Sequence, residues 1–317
     1  MRAVFLDSET LDRGDLDLAP LEAAFETLAY HPRTAPAQVV ERLAGAPVAI
    51  VNKVPLDGDA LRALPELRLI CVTATGVNNV DLEACRACGV RVMNCRGYGT
   101  DSVAQHAIGM MILLSTRMLD YTRAVENGDW SRSTQFCLLD FPIRELAGRT
   151  LGIVGYGTLG QRVAALAEAF GMEVRVAQRP GGEPTPDRLP LEALLPQLDV
   201  LSLHCPLTEA THHLIDAEAL AAMRPGALLI NTARGALVED TALVEALRSG
   251  HLGGAGLDVL EPEPPPVDHP LLAPDLPNLL VTPHSAWGSR EARQRIVTQL
   301  VENVAAFRAG REGRAVA

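Results

Sequence analysis

Short apolar runs recur along the chain and alternate with stretches that carry Leu and Ala at three- and four-residue spacing. Ala3 to Leu6, Val48 to Val51, Leu69 to Val72 and Val90 to Met93 read as strands, and Val39 to Leu43 and Asp59 to Leu64 between them are helix-compatible. This alternation predicts a small parallel-sheet domain over about the first hundred residues, since parallel strands need crossover helices. From Thr150 a second alternation begins, with strands expected at Leu151 to Val154, Glu173 to Ala177, Val200 to Leu203, Ala227 to Ile230, Ala255 to Leu257 and Leu279 to Val281. It predicts an α/β, doubly wound sheet of nucleotide-binding type.

Between the two alternations, Asp101-Ser102 is placed to N-cap a long, largely apolar helix that runs to Asn127-Gly128, where glycine supplies a stop. Trp130 to Phe141 reads as an irregular, aromatic-containing segment that packs either on a partner chain or on its own domain. The run Glu261 to Pro266 is too rich in proline for helix interior and reads as a rigid loop. A last helix is expected over Ser289 to Arg308.

Composition narrows the function classes. With 317 residues, 48% hydrophobic and 21% charged, the chain is globular and long enough for two domains. A formal net charge of -11 without a basic run argues against nucleic acid as a partner. The N-terminus lacks a long apolar segment and turns acidic early, and the apolar stretch around Ala107 to Leu114 is too short to span a membrane, so a cytoplasmic location is expected. Six scattered cysteines suit reduced thiols. Cys85-x-x-Cys88 with Cys95 lacks a second knuckle or a histidine at zinc spacing, and no metal site is expected.

Leu151-Gly-Ile-Val-Gly155-Tyr-Gly157-Thr158-Leu159-Gly160 is an apolar strand running into G-x-G-x-x-G and then an amphipathic helix over Gln161 to Phe170. The first glycine permits the tight turn, the second lets the backbone approach a pyrophosphate, and the third lets helix and strand pack closely. The helix N-terminus offers unpaired N–H groups to the anion. A nicotinamide dinucleotide is therefore the expected cofactor. NAD-preferring domains of this kind carry Asp or Glu about 20 residues on, to accept from the ribose 2′-OH. Gln178 followed by Arg179 stands there instead, which leans the reading toward NADP or dual use.

Three strand ends carry reactive groups: Arg234 after the fourth strand, Asp258 and Glu263 at and after the fifth, and His284 after the sixth. Parallel strands would bring these ends to one cleft. There Arg234 can fork a carboxylate or polarise a carbonyl, His284 can pass a proton near neutral pH, and Glu263 can orient the imidazole.

The segments Leu229-Ile-Asn-Thr-Ala-Arg234-Gly, Gly254-Ala-Gly-Leu-Asp258-Val-Leu-Glu-Pro-Glu263-Pro and Thr282-Pro-His284 resemble the D-isomer-specific 2-hydroxyacid dehydrogenase family. Ala74-Thr-Gly76-Val77-Asn-Asn-Val-Asp81, Ser102-Val-Ala-Gln-His106 and His204-Cys-Pro-Leu-Thr208 also match family segments. Ser285-Ala-Trp287, Trp130-Ser131 and Phe136-Cys137 look most like its glycerate dehydrogenase, or hydroxypyruvate reductase, branch.

The resemblance implies that Arg234 holds the substrate carboxylate and carbonyl oxygen, that His284 protonates the developing alkoxide, and that Glu263 is the partner of His284. It assigns the backbone at Gly76 and Val77 to the substrate carboxylate, Asp258 to the nicotinamide carboxamide, and Pro206, Thr232 and Ala233 to the nicotinamide side. It further implies a homodimer built through the helix near residue 101 and the arm after Trp130. A discontinuous, flavodoxin-like substrate domain is expected over 1–98 and 286–317, with a Rossmann cofactor domain over 99–285. The expected activity is reduction of a small 2-oxo acid, hydroxypyruvate or glyoxylate, to the D-2-hydroxy acid. Two alternatives stay open: a nicotinamide-sensing, corepressor-like interaction protein, and a formate- or phosphite-type dehydrogenase. A phosphoglycerate dehydrogenase with a C-terminal sensor domain is not expected, whereas a shorter phosphoglycerate enzyme stays open. Lys53 reads as a solvated lysine, with help in selecting an anionic substrate as the rival reading.

Overall fold

Among the described residues the strands of both sheets pair with one another in parallel, the arrangement expected for apolar runs buried on both faces, and the antiparallel bridge from Met93 to Ala315 is isolated. The computed structural model describes all residues except 180, 181 and 184. It divides into two units, Met1–Gly99 with Gly288–Ala317, and Thr100–Trp287.

The first unit is built on β1 (Arg2–Phe5), β2 (Thr27–Tyr30), β3 (Val48–Val51), β4 (Leu69–Val72) and β5 (Arg91–Met93), ordered β2-β1-β3-β4-β5. That is the flavodoxin-like order. β3 and β4 are buried at every position, which is why their sequences are unbroken apolar runs. β2 lies at the sheet edge, none of its residues is fully buried, and no apolar run announces it in the sequence. Helices Gly58–Arg62 and Leu82–Cys88 start where Asp57 and Asp81 accept from the backbone N–H of Ala60 and Ala84. The helix Arg290–Arg308, capped by Ser289, buries Ile296, Leu300 and Val304 in this unit.

The second unit carries β6 (Thr150–Val154), β7 (Glu173–Val176), β8 (Val200–Leu203), β9 (Leu228–Asn231), β10 (Gly254–Leu257) and β11 (Leu279–Val281), in the order β11-β10-β9-β8-β6-β7. Beyond β7 a single parallel bridge joins Ala177 to Leu189. With Leu189 counted as a vestigial strand, the order becomes the usual Rossmann arrangement, reversing between β6 and β8. One face of the sheet is covered by Leu220, Leu237, Leu243 and Leu247, the other by Ala104, Ala107, Met111 and Val163. A doubly wound sheet with helices on both faces is thus present, together with the smaller α/β unit.

The long helix expected from Asp101-Ser102 to Gly128 is two helices, Thr100–Thr116 and Met118–Glu126. Arg117 interrupts it with φ 53°, and its guanidinium is held by Asp120 at 2.5 Å and stands 5.4 Å from the Phe141 ring centre. Because the first helix begins at Thr100, Asp101 and Ser102 lie inside its first turn instead of capping it. Asp101 pairs with Arg162 at 2.9 Å, and Ser102 donates to the Ala286 carbonyl at 2.6 Å. After a short helix, Asp129–Arg132, the arm leaves Trp130, Phe136, Leu139 and Ile143 exposed.

Candidate active site

β6 ends in the glycine turn. Gly155 has φ 95°, and a Cβ there would stand 2.5 Å from the backbone of His204 and Cys205; at Gly160 it would stand 2.1 Å from the Gly155 carbonyl oxygen. Both positions exclude a side chain by conformation or close packing. Gly157 differs, with nothing within 4 Å of the Cβ position, so its backbone faces open space. The helix Thr158–Ala169 starts here without a side-chain cap, whereas Asp57, Asp81, Asp216 and Ser289 cap other helices. Its first backbone bond runs from Gln161 to the Gly157 carbonyl, and Thr158, Leu159 and Gly160 donate to no described residue. These donors and the open glycine fit a pyrophosphate. Thr232 Oγ1, in the loop after β9, is buried without a hydrogen-bond partner among the described residues, a second group that a dinucleotide could satisfy.

The carboxyl ends of β9, β10 and β11 lie side by side, with Leu257 registered against both Asn231 and Val281. Arg234 follows β9 by three residues, Asp258 follows β10 directly, and His284 follows β11 by three. The sheet thus brings the reactive groups read from the sequence to neighbouring strand ends. Asn231, buried at the end of β9, shapes the Arg234 loop: its amide donates to the Arg234 carbonyl at 2.8 Å and accepts from the Ala233 N–H at 3.0 Å. Arg234 is exposed and donates from its guanidinium to the Ala233 carbonyl at 2.6 Å. Gly235 is needed because a Cβ would stand 2.3 Å from the Leu260 carbonyl carbon. Ala233 is buried, and Pro206, beyond β8, accepts from Thr211 Oγ1 at 2.8 Å.

His284 and Glu263 meet directly, with Nδ1 2.6 Å from Oε2. The second carboxylate oxygen of Glu263 accepts from the Leu260 N–H at 3.2 Å, which fixes the side chain to the end of its own loop. An imidazole that donates Nδ1–H to a carboxylate presents Nε2 outward as its working nitrogen. Asp258 is buried, and both its oxygens are taken up by the turn that carries His284: Oδ1 accepts from Thr282 Oγ1 at 2.5 Å and from the Ser285 N–H at 2.9 Å, and Oδ2 accepts from the Ala286 N–H at 2.9 Å. His106 Nε2 lies 3.0 Å from Thr282 Oγ1, and Trp287 Nε1 donates to the His284 carbonyl at 2.9 Å. Residue-by-residue reasoning gave Asn231, His106, Thr282 and Trp287 no task. Their only signal was membership in the segments that resemble the family.

At the end of β7, Gln178 donates its backbone N–H to the Leu189 carbonyl at 2.7 Å and its side-chain amide to the Gly182 carbonyl at 3.3 Å, while Arg179 is exposed. In the first unit, Gly76 and Val77 occupy the loop after β4, which is braced by Thr75 Oγ1 donating to the Cys95 carbonyl at 2.9 Å and by Asn94 donating to the Thr75 carbonyl at 2.7 Å. Lys53 follows β3, where the buried Asp7 carboxylate accepts from the N–H groups of Asn52, Lys53 and Val54. Burial pushes that carboxyl up from its ordinary value.

The family model for the D-isomer specific 2-hydroxyacid dehydrogenase NAD-binding domain matches residues 108–286. The chain is 46% identical over 310 residues to a glycerate dehydrogenase of Methylorubrum extorquens, covering 98% of this chain and 97% of that one. It is 36% identical over 316 residues to a hydroxypyruvate reductase of Blautia hydrogenotrophica, covering 98% of each. A solved structure from Thermus thermophilus is similar along the full length of both chains, with a TM-score of 0.87 and 39% identity. No helix among the described residues is long and apolar enough to cross a membrane.

Proposed function

The chain belongs to the D-isomer-specific 2-hydroxyacid dehydrogenase family, and we propose that it reduces hydroxypyruvate or glyoxylate to the corresponding 2-hydroxy acid, and runs the reverse oxidation, with a nicotinamide cofactor. The observation that carries this reading is the 2.6 Å contact between His284 Nδ1 and Glu263 Oε2, one strand over from the β9 loop that bears Arg234. When bound, the reduced nicotinamide supplies the hydride that the carbonyl carbon takes up. Arg234 forks the substrate carboxylate and draws electron density toward the carbonyl oxygen. His284 gives its Nε2 proton to that oxygen as charge develops, and Glu263 stabilises the imidazolium and holds the ring in the donating orientation. Every atom is accounted for: hydride to carbon, proton to oxygen, and a neutral imidazole that is reprotonated from solvent.

The names of the relatives support this substrate class, one being a glycerate dehydrogenase and one a hydroxypyruvate reductase. Gly76 and Val77 are proposed to offer backbone N–H groups to the substrate carboxylate, and Thr232, Ala233 and Pro206 to line the nicotinamide side. The absence of a carboxylate at Gln178, with Arg179 beside it, supports use of NADP, alone or with NAD. The exposed apolar residues Trp130, Phe136, Leu139 and Ile143 support a homodimer in which a second copy covers the arm. A cytoplasmic location completes the proposal.

The test is the loss of reduced-nicotinamide absorbance with hydroxypyruvate, glyoxylate and pyruvate, each offered with NADH and with NADPH. Rapid loss with hydroxypyruvate or glyoxylate is expected. Turnover confined to pyruvate, or none with any pair in a protein that binds the cofactor, would overturn the substrate assignment.

A further inference from the structure

Past Ala177 the sheet edge does something the strand pattern gives no hint of. The chain leaves β7 through Gln178 and Arg179 and returns ten residues later. Leu189 then bridges Ala177 in parallel, its carbonyl accepting from the Gln178 N–H at 2.7 Å and its N–H donating to the Val176 carbonyl at 3.4 Å. This stub stands where a third Rossmann strand would begin, and it delivers Arg188 to the carboxyl side of β7. The Arg188 guanidinium carbon lies 5.8 Å from the centre of the Tyr156 ring, and Tyr156 sits between the first two glycines of the phosphate turn. A residue distant in sequence from the glycine motif is thus held over it by a cation–π contact.

We infer that Arg188, together with Arg179, forms a two-cation clamp for the 2′-phosphate of NADP; the inference rests on the proposed use of NADP. The end of the second strand is where a Rossmann domain meets the adenosine ribose. Two arginines flank that corner along the chain. One follows the strand directly and the other returns on the stub. Neither is in an ion pair with a described residue. Gln178 cannot repel a phosphate as an acidic selector would, and its side-chain amide donates to the Gly182 carbonyl at 3.3 Å. Arg188 is half-buried, so less of its mobility is lost on binding than for an exposed side chain, and its planar fork suits phosphate oxygens. In the sequence the usual selector position lies directly after β7, at Gln178 and Arg179. Only the Ala177–Leu189 bridge brings Arg188 to the same corner.

Calorimetric titration of the full chain with adenosine 2′,5′-bisphosphate and with 5′-AMP tests this without turnover. The wild-type protein is expected to bind the bisphosphate at least ~10-fold more tightly than 5′-AMP, the scale of one charge-assisted hydrogen bond. Arg188→Ala should lose about 10- to 100-fold in affinity for the bisphosphate and keep 5′-AMP affinity within about twofold; Arg188→Lys, which keeps the charge but not the fork, should fall between. If Arg188→Ala binds the bisphosphate as tightly as wild type while Arg179→Ala does not, the Arg188 assignment falls and the NADP reading stands. If wild type shows no preference for the bisphosphate, the NADP reading fails and takes the clamp with it.

Discussion

His284 presents Nδ1 to Glu263 Oε2 at 2.6 Å from a backbone that is itself left-handed, with φ 51°. A non-glycine residue persists in that region when its surroundings over-determine it. Here the Asp258 carbonyl accepts from the His284 N–H at 2.8 Å, and the Asp258 carboxylate accepts from the next two N–H groups. The pair is expected to act as one unit. Glu263→Gln should lower kcat by about 10²- to 10³-fold, and His284→Ala by at least as much, with cofactor affinity little changed. The double variant should be no slower than His284→Ala alone, because effects within a unit are not additive. Steady-state kinetics of the four proteins check this; additive losses would mean that the two residues act separately.

Arg234 is exposed at the end of β9, and its loop is shaped by Asn231 and by the side-chain-free position at Gly235. Its proposed value to a 2-oxo acid lies in a planar fork that a lysine lacks. Arg234→Lys should reduce kcat/KM for the oxo acid by about 10- to 100-fold, the loss of one charge-assisted hydrogen bond. Cofactor affinity measured by fluorescence titration should be unaffected. Equal weakening of both would move Arg234 from the substrate to the cofactor.

The central strands of both sheets were legible because parallel strands buried on two faces leave unbroken apolar runs, as in Val48–Val51 and Leu228–Leu229-Ile230. β2 was not, because an edge strand with partly exposed residues has no such run. The break at Arg117 also left no trace. It depends on a left-handed residue held by Asp120 and Phe141, and the apolar periodicity on either side continues regardless. The reactive groups at the strand ends could be named from their positions after apolar runs. Their supports could not: Asn231, Thr282 and His106 act through backbone and side-chain contacts that exist only once β9, β10 and the helix Thr100–Thr116 are assembled.

The glycines of the phosphate turn do different jobs, and alanine separates them. Gly160→Ala would set a Cβ 2.1 Å from the Gly155 carbonyl oxygen, a backbone contact that cannot yield cheaply. It should cost about 1–3 kcal/mol or more and lower Tm by several degrees. Gly157→Ala meets nothing within 4 Å and has φ -81°, an ordinary value for alanine. Its Tm should stay within about 2 °C of wild type, while cofactor affinity falls by about 10-fold or more as the methyl group takes the space proposed for the pyrophosphate. Thermal melts paired with cofactor titration check both. A Gly157→Ala protein that binds cofactor normally would remove the open glycine from the cofactor site.

His204 follows β8 and packs against the glycine turn, Nε2 2.9 Å from Ser202 Oγ and Nδ1 buried with no partner among the described residues. Burial pushes its imidazole down to about 4 from an ordinary 6.5. The folded protein therefore keeps His204 neutral while the unfolded chain takes up a proton below about pH 6.5. Below that pH the unfolded state binds more protons, so stability rises with pH between 4 and 6.5. The contribution is complete above pH 6.5 and is lost progressively as pH falls toward 4, by roughly 3 kcal/mol at 1.36 kcal/mol per unit. His204→Asn should flatten this part of the stability profile while leaving other acid-sensitive groups in place. Urea denaturation at pH 4.5, 5.5 and 7 compares the two proteins; parallel profiles would show that His204 is solvated in the folded state and does not carry the acid sensitivity.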